Sequence, residues 1–130
     1  MKERLYPKTM WKPHGSYSQV VITDPGKLVF TAGQVAMNEE GQTVGIGDIR
    51  AQTRQVLQKI QNAVEAAGGT LEDVVTMTVF TTDARYHKDV NEVRREVFGS
   101  KFPASTMVQV VALARPELLI EVNATAIISK

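Results

Sequence analysis

Hydrophobic and polar positions alternate with two different periods along this chain, and the change of period marks the elements. Tyr17 to Thr23 (YSQVVIT) and Leu28 to Ala32 (LVFTA) read as strands around Asp24-Pro25-Gly26-Lys27. Proline at the second turn position and glycine at the third predict a type II turn, hence a hairpin. A polar loop, Asn38 to Gly47, ends at Asp48, a good helix N-cap. From Ile49 the apolar residues recur at helical spacing: Val56, Leu57, Ile60, Ala63, Val64 and Ala67. Gly68-Gly69 supplies the stop. Val74 to Thr82 is rich in β-branched residues and predicts a strand. Asp83 caps a second helix with a stripe of Tyr86, Val90, Val93 and Val97. Ala104 to Ala112 and Leu118 to Ile128 are expected to close the domain as a pair of strands, joined by the loop around Arg115-Pro116.

The predicted order is therefore β-β-α-β-α-β-β. Two amphipathic helices, each with one apolar face, need one sheet to cover them. A two-layer α+β sandwich results, over residues 1–130 as a single domain. On the last strand Leu118, Ile120, Val122, Ala124, Ala126 and Ile128 share one face, the expected helix side. Leu119, Glu121, Asn123, Thr125 and Ile127 lie opposite, mixing large apolar groups with a carboxylate and an amide. Such a face predicts a subunit interface with polar pockets. In FPASTMVQV, Ser105, Met107 and Gln109 share a face. If the last two strands pair, Ser105 and Met107 come near Asn123 and Thr125, so Ser105 is expected to face a partner chain and a cleft.

Composition narrows the chemistry. The chain has 130 residues, with 15 Lys+Arg, 14 Asp+Glu, a net charge of +1 and no cysteine. Thiolate metal sites, disulfides and cysteine nucleophiles are excluded. Neither a basic stripe nor an apolar run of spanning length is present, so nucleic-acid and membrane partners are not expected and a cytoplasmic location is the default. Arg94 and Arg95 are adjacent on the second helix and point different ways. Asp83, His87 and Asn91 share a helix face, but one histidine with two weak partners is a poor metal set. No cofactor motif is found; the glycines of GIGDIR and AAGGT lack the lysine of a phosphate loop.

Several stretches, taken in order, are similar to the RidA/YjgF family over nearly the whole chain. GSYSQ (Gly15 to Gln19), FTAGQ (Phe30 to Gln34), Ala51 to Asp83, Asn91 in DVNEV, FPAST and LIEV carry the resemblance. It implies a chorismate-mutase-like homotrimer with sheets packed into a central barrel and clefts between subunits. It also implies metal-free hydrolysis of reactive enamines and imines, notably 2-aminoacrylate, to ketones and ammonia. In that chemistry an arginine after Phe-Pro-Ala grips the substrate carboxylate and a glutamate on the final strand positions water.

In this sequence the arginine position is Ser105 and the glutamate position is read as Asn123, which marks an arginine-lacking branch. Asn123 becomes the candidate for positioning water, and Tyr17, Gly33, Asn91, Ser105 and Arg115 the candidates for binding a small-molecule substrate. Each has a plainer reading: Ser105 as a small packing residue, Tyr17 as packing, Asn91 as helix surface, and Arg115 as a solvated loop cation. His14 is a minor candidate near Tyr17. Without the arginine, a larger or less acidic substrate than 2-aminoacrylate is expected. A non-catalytic trimer binding a metabolite or protein is the alternative, and ribonuclease activity a weaker one.

Overall fold

Residues 2–12 and 14–129 are described by a computed structural model. Seven strands and two helices are present among them: β1 (Lys2–Leu5), β2 (Val20–Thr23), β3 (Gly26–Phe30), β4 (Gln34–Val35), α1 (Ile49–Ala66), β5 (Val74–Thr81), α2 (His87–Phe98), β6 (Ala104–Gln109) and β7 (Ile120–Ser129). Short 3₁₀ turns precede β5 and α2. The main sheet runs β3-β7-β5-β6, with β4 also on β7, while β1 and β2 form a separate antiparallel ribbon.

Both helices form where their spacing predicts. The Asp48 carboxylate accepts from the Ala51 amide and caps α1, and Val56, Leu57, Ile60 and Val64 are buried. Beyond Ala67, Gly68 turns with φ +95° and the Gly69 amide returns to the Val64 carbonyl, so the helix ends at the paired glycines. Asp83 caps the 3₁₀ turn that leads into α2, through the Arg85 amide. Val90, Val93 and Phe98 of α2 are buried. On β7, Ile120, Val122, Ala124 and Ala126 are buried beneath the helices, as the alternation predicts.

Strand pairing departs from the sequence reading in three places. β2 and β3 do not form a hairpin: β2 pairs with β1, and β3 pairs with β7. Gly26 does not take the positive φ of a type II turn. It belongs to β3, where a Cβ would lie 2.3 Å from the Ile128 carbonyl oxygen. Its glycine is required by close approach, not by a turn. On β5 a register shift between Val74 and Thr76 interrupts the strict alternation, so Val74 is buried along with Met77 and Val79 while Val75 is half-buried.

The third correction moves the site. β6 and β7 are not neighbours: β6 runs parallel to β5 at the sheet edge, and β7 lies on the other side of β5, antiparallel to it. The connection 110–119 is too long for a hairpin and passes β5, the Val110 amide bonding to the Thr81 carbonyl. In register, Ser105 and Ala124 flank Met77, while Thr106 and Asn123 flank Thr78. Residues in register share a face. Ser105 therefore lies on the helix side, with buried Met77, and Asn123 on the open side.

Candidate functional site

Two groups of polar residues stand out, one on each side of the sheet. The first is organised by α2. His87, Asn91 and Arg94 fall three or four residues apart and so project from one side of the helix. Opposite them runs the segment Gly15 to Ser18, which lies along the start of β6 through a Ser18–Ala104 bridge and a Ser18 amide bond to the Pro103 carbonyl, 2.9 Å.

Asn91 is the hub. Its Oδ1 accepts from the Ser16 amide (3.0 Å), the Ser16 hydroxyl (2.6 Å) and Arg94 Nη2 (3.1 Å). Because a backbone N–H only donates, this fixes which end of the amide is oxygen. Nδ2 therefore faces His87 Nε2 at 3.0 Å and donates to it. His87 Nε2 then acts as acceptor, which leaves the ring proton on Nδ1. A Cβ on Gly15 would stand 3.1 Å from the Tyr17 ring and 3.4 Å from Asn91 Oδ1, so the missing side chain lets this segment sit against the hub.

Arg94 reaches across the same network. Its Nε donates to Ser16 Oγ (2.8 Å), Nη1 to Ser105 Oγ (2.7 Å), and Nη1 also points at Met77 Sδ, 4.0 Å away. The residue is 3% exposed. Among the described residues its hydrogen-bond partners are all uncharged, and no carboxylate acts on it. Burial pulls its pKa down to about 10. The neighbouring Arg95 adds to that fall, and Tyr17 opposes it. A cavity of ≈ 290 Å³ opens beside it, lined by Tyr17, His87, Arg94, Ser105, Thr106 and Met107. Larger hollows of ≈ 510 and ≈ 630 Å³ lie along α1, but no buried ionic group lines either of them.

On the open side, Gly33 precedes β4 and Glu121 lies on β7, opposite Val35. A Cβ on Gly33 would be 1.9 Å from Glu121 Oε2, so the carboxylate rests on the glycine backbone. Among the described residues no donor reaches that carboxylate. Asn123, two residues on, has its Oδ1 on the Thr78 amide at 3.3 Å. The acid at Gly33 is thus Glu121, where the sequence reading had looked to Asn123.

The predicted residues are accordingly divided. Tyr17 and Ser105 line one cavity, and Asn91 sits behind it, bonded to Arg94 and His87; Gly33 and Asn123 belong to the opposite face. Arg115 binds the Gly41 carbonyl (2.8 Å) and Thr43 Oγ1 (3.4 Å), tying two loops together away from the cavity. His14 is exposed; its carbonyl accepts from Arg95 Nη2 at 2.5 Å and its ring meets Trp11 edge to face. Among the described residues no cluster of three or more metal-ligating side chains occurs. Arg94 and Glu121 were not singled out from sequence. A signal existed for Arg94, since a cation at a position three residues from Asn91 and four from Val90 falls within the buried stripe.

Known proteins share this sequence pattern and this architecture. A RutC family protein of Pyrococcus horikoshii is 40% identical over 126 residues, covering 97% of this chain and 98% of that protein. The structure of YyfB, a Rid family protein of Yersinia pestis, superposes with a TM-score of 0.89 at 33% identity, over 98% of each chain. TdcF of E. coli, solved with bound serine, gives a TM-score of 0.73 at 30% identity over 98% of this chain and 99% of its own. The family model described as Endoribonuclease L-PSP matches residues 8–128. With that span and these relatives, the chain belongs to the L-PSP family, also known as the Rid or YjgF family.

Proposed function

We propose that this protein is a homotrimeric, metal-free hydrolase that deaminates a reactive enamine or imine. The observation that carries the reading is the pair of incomplete half-sites: a half-open polar cavity at Tyr17, buried Arg94 and Ser105, and, at Gly33, the Glu121 carboxylate with no donor among the described residues. The sheet separates them, so one chain does not bring them together. A second copy laid against the open face supplies the missing half. That face carries Leu28 and Phe30, exposed to 58% and 71%, alongside Ile127 and Thr125, with Val108 exposed on β6. An apolar face of this kind is the usual mark of a protein partner.

The chemistry needs little beyond positioned water. The substrate enters as an imine protonated at nitrogen, or as an enamine that takes a proton at carbon to give the same iminium. Water adds to the C=N carbon while Glu121 accepts one of its protons, giving a neutral carbinolamine. That proton passes to nitrogen, and the C–N bond then breaks as Glu121 takes the remaining hydroxyl proton, releasing ammonia and leaving the ketone. General base assistance of this type contributes about 10²–10⁴-fold. The serine bound by TdcF fits a family site that accepts small amino-acid-like molecules. Ribonuclease action gains less support, because surface Arg50, Arg54 and Arg85 are each paired with carboxylates.

An amino-acid oxidase that generates imino acids in place supplies the assay, read as release of ammonia and keto acid. The protein is expected to accelerate hydrolysis above the uncatalysed rate, and Glu121→Gln to lose about 10²-fold of that rate. No acceleration with any imino acid would instead favour a trimer that binds a metabolite without turning it over.

A further inference from the structure

We propose that Arg94, projecting from α2, and Ser105, on β6, together bind the carboxylate of a small α-imino or α-keto acid in the cavity beside Tyr17. The assignment of that acid as substrate rests on the hydrolase reading above; the anion site itself rests on the geometry alone.

Unpaired charge is the first reason. A buried cation is costly unless a counter-charge accompanies it, and Lys2, whose side chain is 7% exposed, has Asp73 at 3.6 Å. Arg50 pairs with Asp89 and Glu92, Arg54 with Glu96, Arg85 with Asp83, and Lys101 with Glu72. Those cations are partly or largely exposed. Arg94 is buried, yet its partners are Ser16, Ser105, Asn91 and the Met77 sulfur, all of them neutral. An internal strut would be better served by an aspartate at position 91, where an amide stands instead. The arrangement holds the guanidinium in place and leaves its charge for something else.

Free donors are the second reason. A guanidinium carries five N–H groups. Three are committed to oxygen and one points only at sulfur, a weak acceptor, which leaves the fifth without a protein partner among these contacts. Ser105 Oγ accepts from Arg94 and keeps its own O–H to donate. A carboxylate is an acceptor of matching planar shape. Size agrees as well: ≈ 290 Å³ is at the low end of ligand cavities, and the Tyr17 ring and Met107 leave an apolar side for a short carbon chain.

The inference reverses an expectation from sequence. Serine at position 105 does not remove the cation from the cleft, because α2 delivers another to the same place. Ser105 is small so that Arg94 Nη1 reaches its Oγ at 2.7 Å; a long side chain there would occupy the guanidinium's space. Acidic substrates are retained, not lost.

Equilibrium binding tests this without turnover, so failure of the hydrolase assay and failure of the anion site remain distinct. Isothermal titration would compare pyruvate with pyruvamide, its uncharged isostere. The wild-type protein is expected to prefer pyruvate by at least about tenfold, the size of one charge-assisted hydrogen bond. Arg94→Met removes the charge, and Asn91→Asp neutralises it internally while keeping an acceptor for Ser16. Both are expected to bring the ratio within about twofold, with circular dichroism confirming the fold. Equal binding of the two ligands by the wild-type chain overturns the proposal, and so does a preference that survives in either folded variant.

Discussion

The hydroxyl of Ser16, the amide of Asn91 and the guanidinium of Arg94 bond to one another, and within that set position 91 matters most for folding. Its Oδ1 takes three donors, two of them from Ser16. Asn91→Leu strands the Ser16 amide and an arginine N–H in a buried place, and is expected to cost about 3 kcal/mol. Arg94→Met is expected to stay within about 1 kcal/mol of the parent. Asn91 keeps both Ser16 donors in that variant, the two serine hydroxyls re-aim, and a buried unpaired charge is removed. Urea unfolding of both variants gives the comparison; an Arg94→Met that unfolds more readily than Asn91→Leu would make the cation a strut. From sequence, Tyr17, Asn91 and Ser105 were named as candidates for one cleft, together with Gly33 and Arg115, which the fold places elsewhere. Arg94 was not, because an arginine on a helix is ordinarily solvated, and only the packing of residues 15–18 over α2 buries it. Glu121 and Asn123 share a strand face, so alternation alone does not choose between them; the contact with Gly33, 88 residues earlier, does.

Among the elements, the helices and the single strands were legible and the partners of the strands were not. Helical period, an aspartate cap and a glycine stop are local, and α1 and α2 obey them. Pairing is non-local. β7 is buried on one side along Ile120, Val122, Ala124 and Ala126 and takes a central place between β5 and the β3–β4 segment. That placement excludes the antiparallel β6–β7 pair, and leaves β6 as a parallel edge strand reached by way of α2. Gly26 records the tightness of the β3–β7 contact. Gly26→Ala places a Cβ against immovable backbone at Ile128, and is expected to destabilise the protein by about 2 kcal/mol. Hydrogen exchange should then show faster exchange of the β3 and β7 amides. A neutral effect would mean that the edge at β3 yields easily.

Whole-molecule behaviour turns on the open face of the sheet. The helices cover one side, and the other presents Leu28, Phe30, Phe80 and Val108 among Thr78, Thr106, Asn123 and Glu121. Sedimentation is expected to give about three times the 14.3 kDa chain mass. Phe30→Asp puts a charge on that face at a residue already 71% exposed in the single chain, so the fold should survive while the assembly shifts to monomer. Hydrolysis should fall with it, because the cavity at Arg94 and the carboxylate at Glu121 would no longer meet. An active monomer would remove the intersubunit site from the proposal.

What the sequence determined by itself were features whose causes lie within a few residues: the helix spans, their caps, the buried face of the last strand, and the mixed character of its other face. Family membership was legible too, because several short motifs stand in order along nearly the whole chain. Tertiary structure alone decided which strands are neighbours, which side of the sheet Ser105 occupies, and that Arg94 rather than a residue of β6 brings a positive charge to the cleft. The physical reason is the same in each case. Strand register and the surroundings of a buried charge are set by groups far apart in the chain, and a helical stripe that includes Arg94 does not say which groups will meet it.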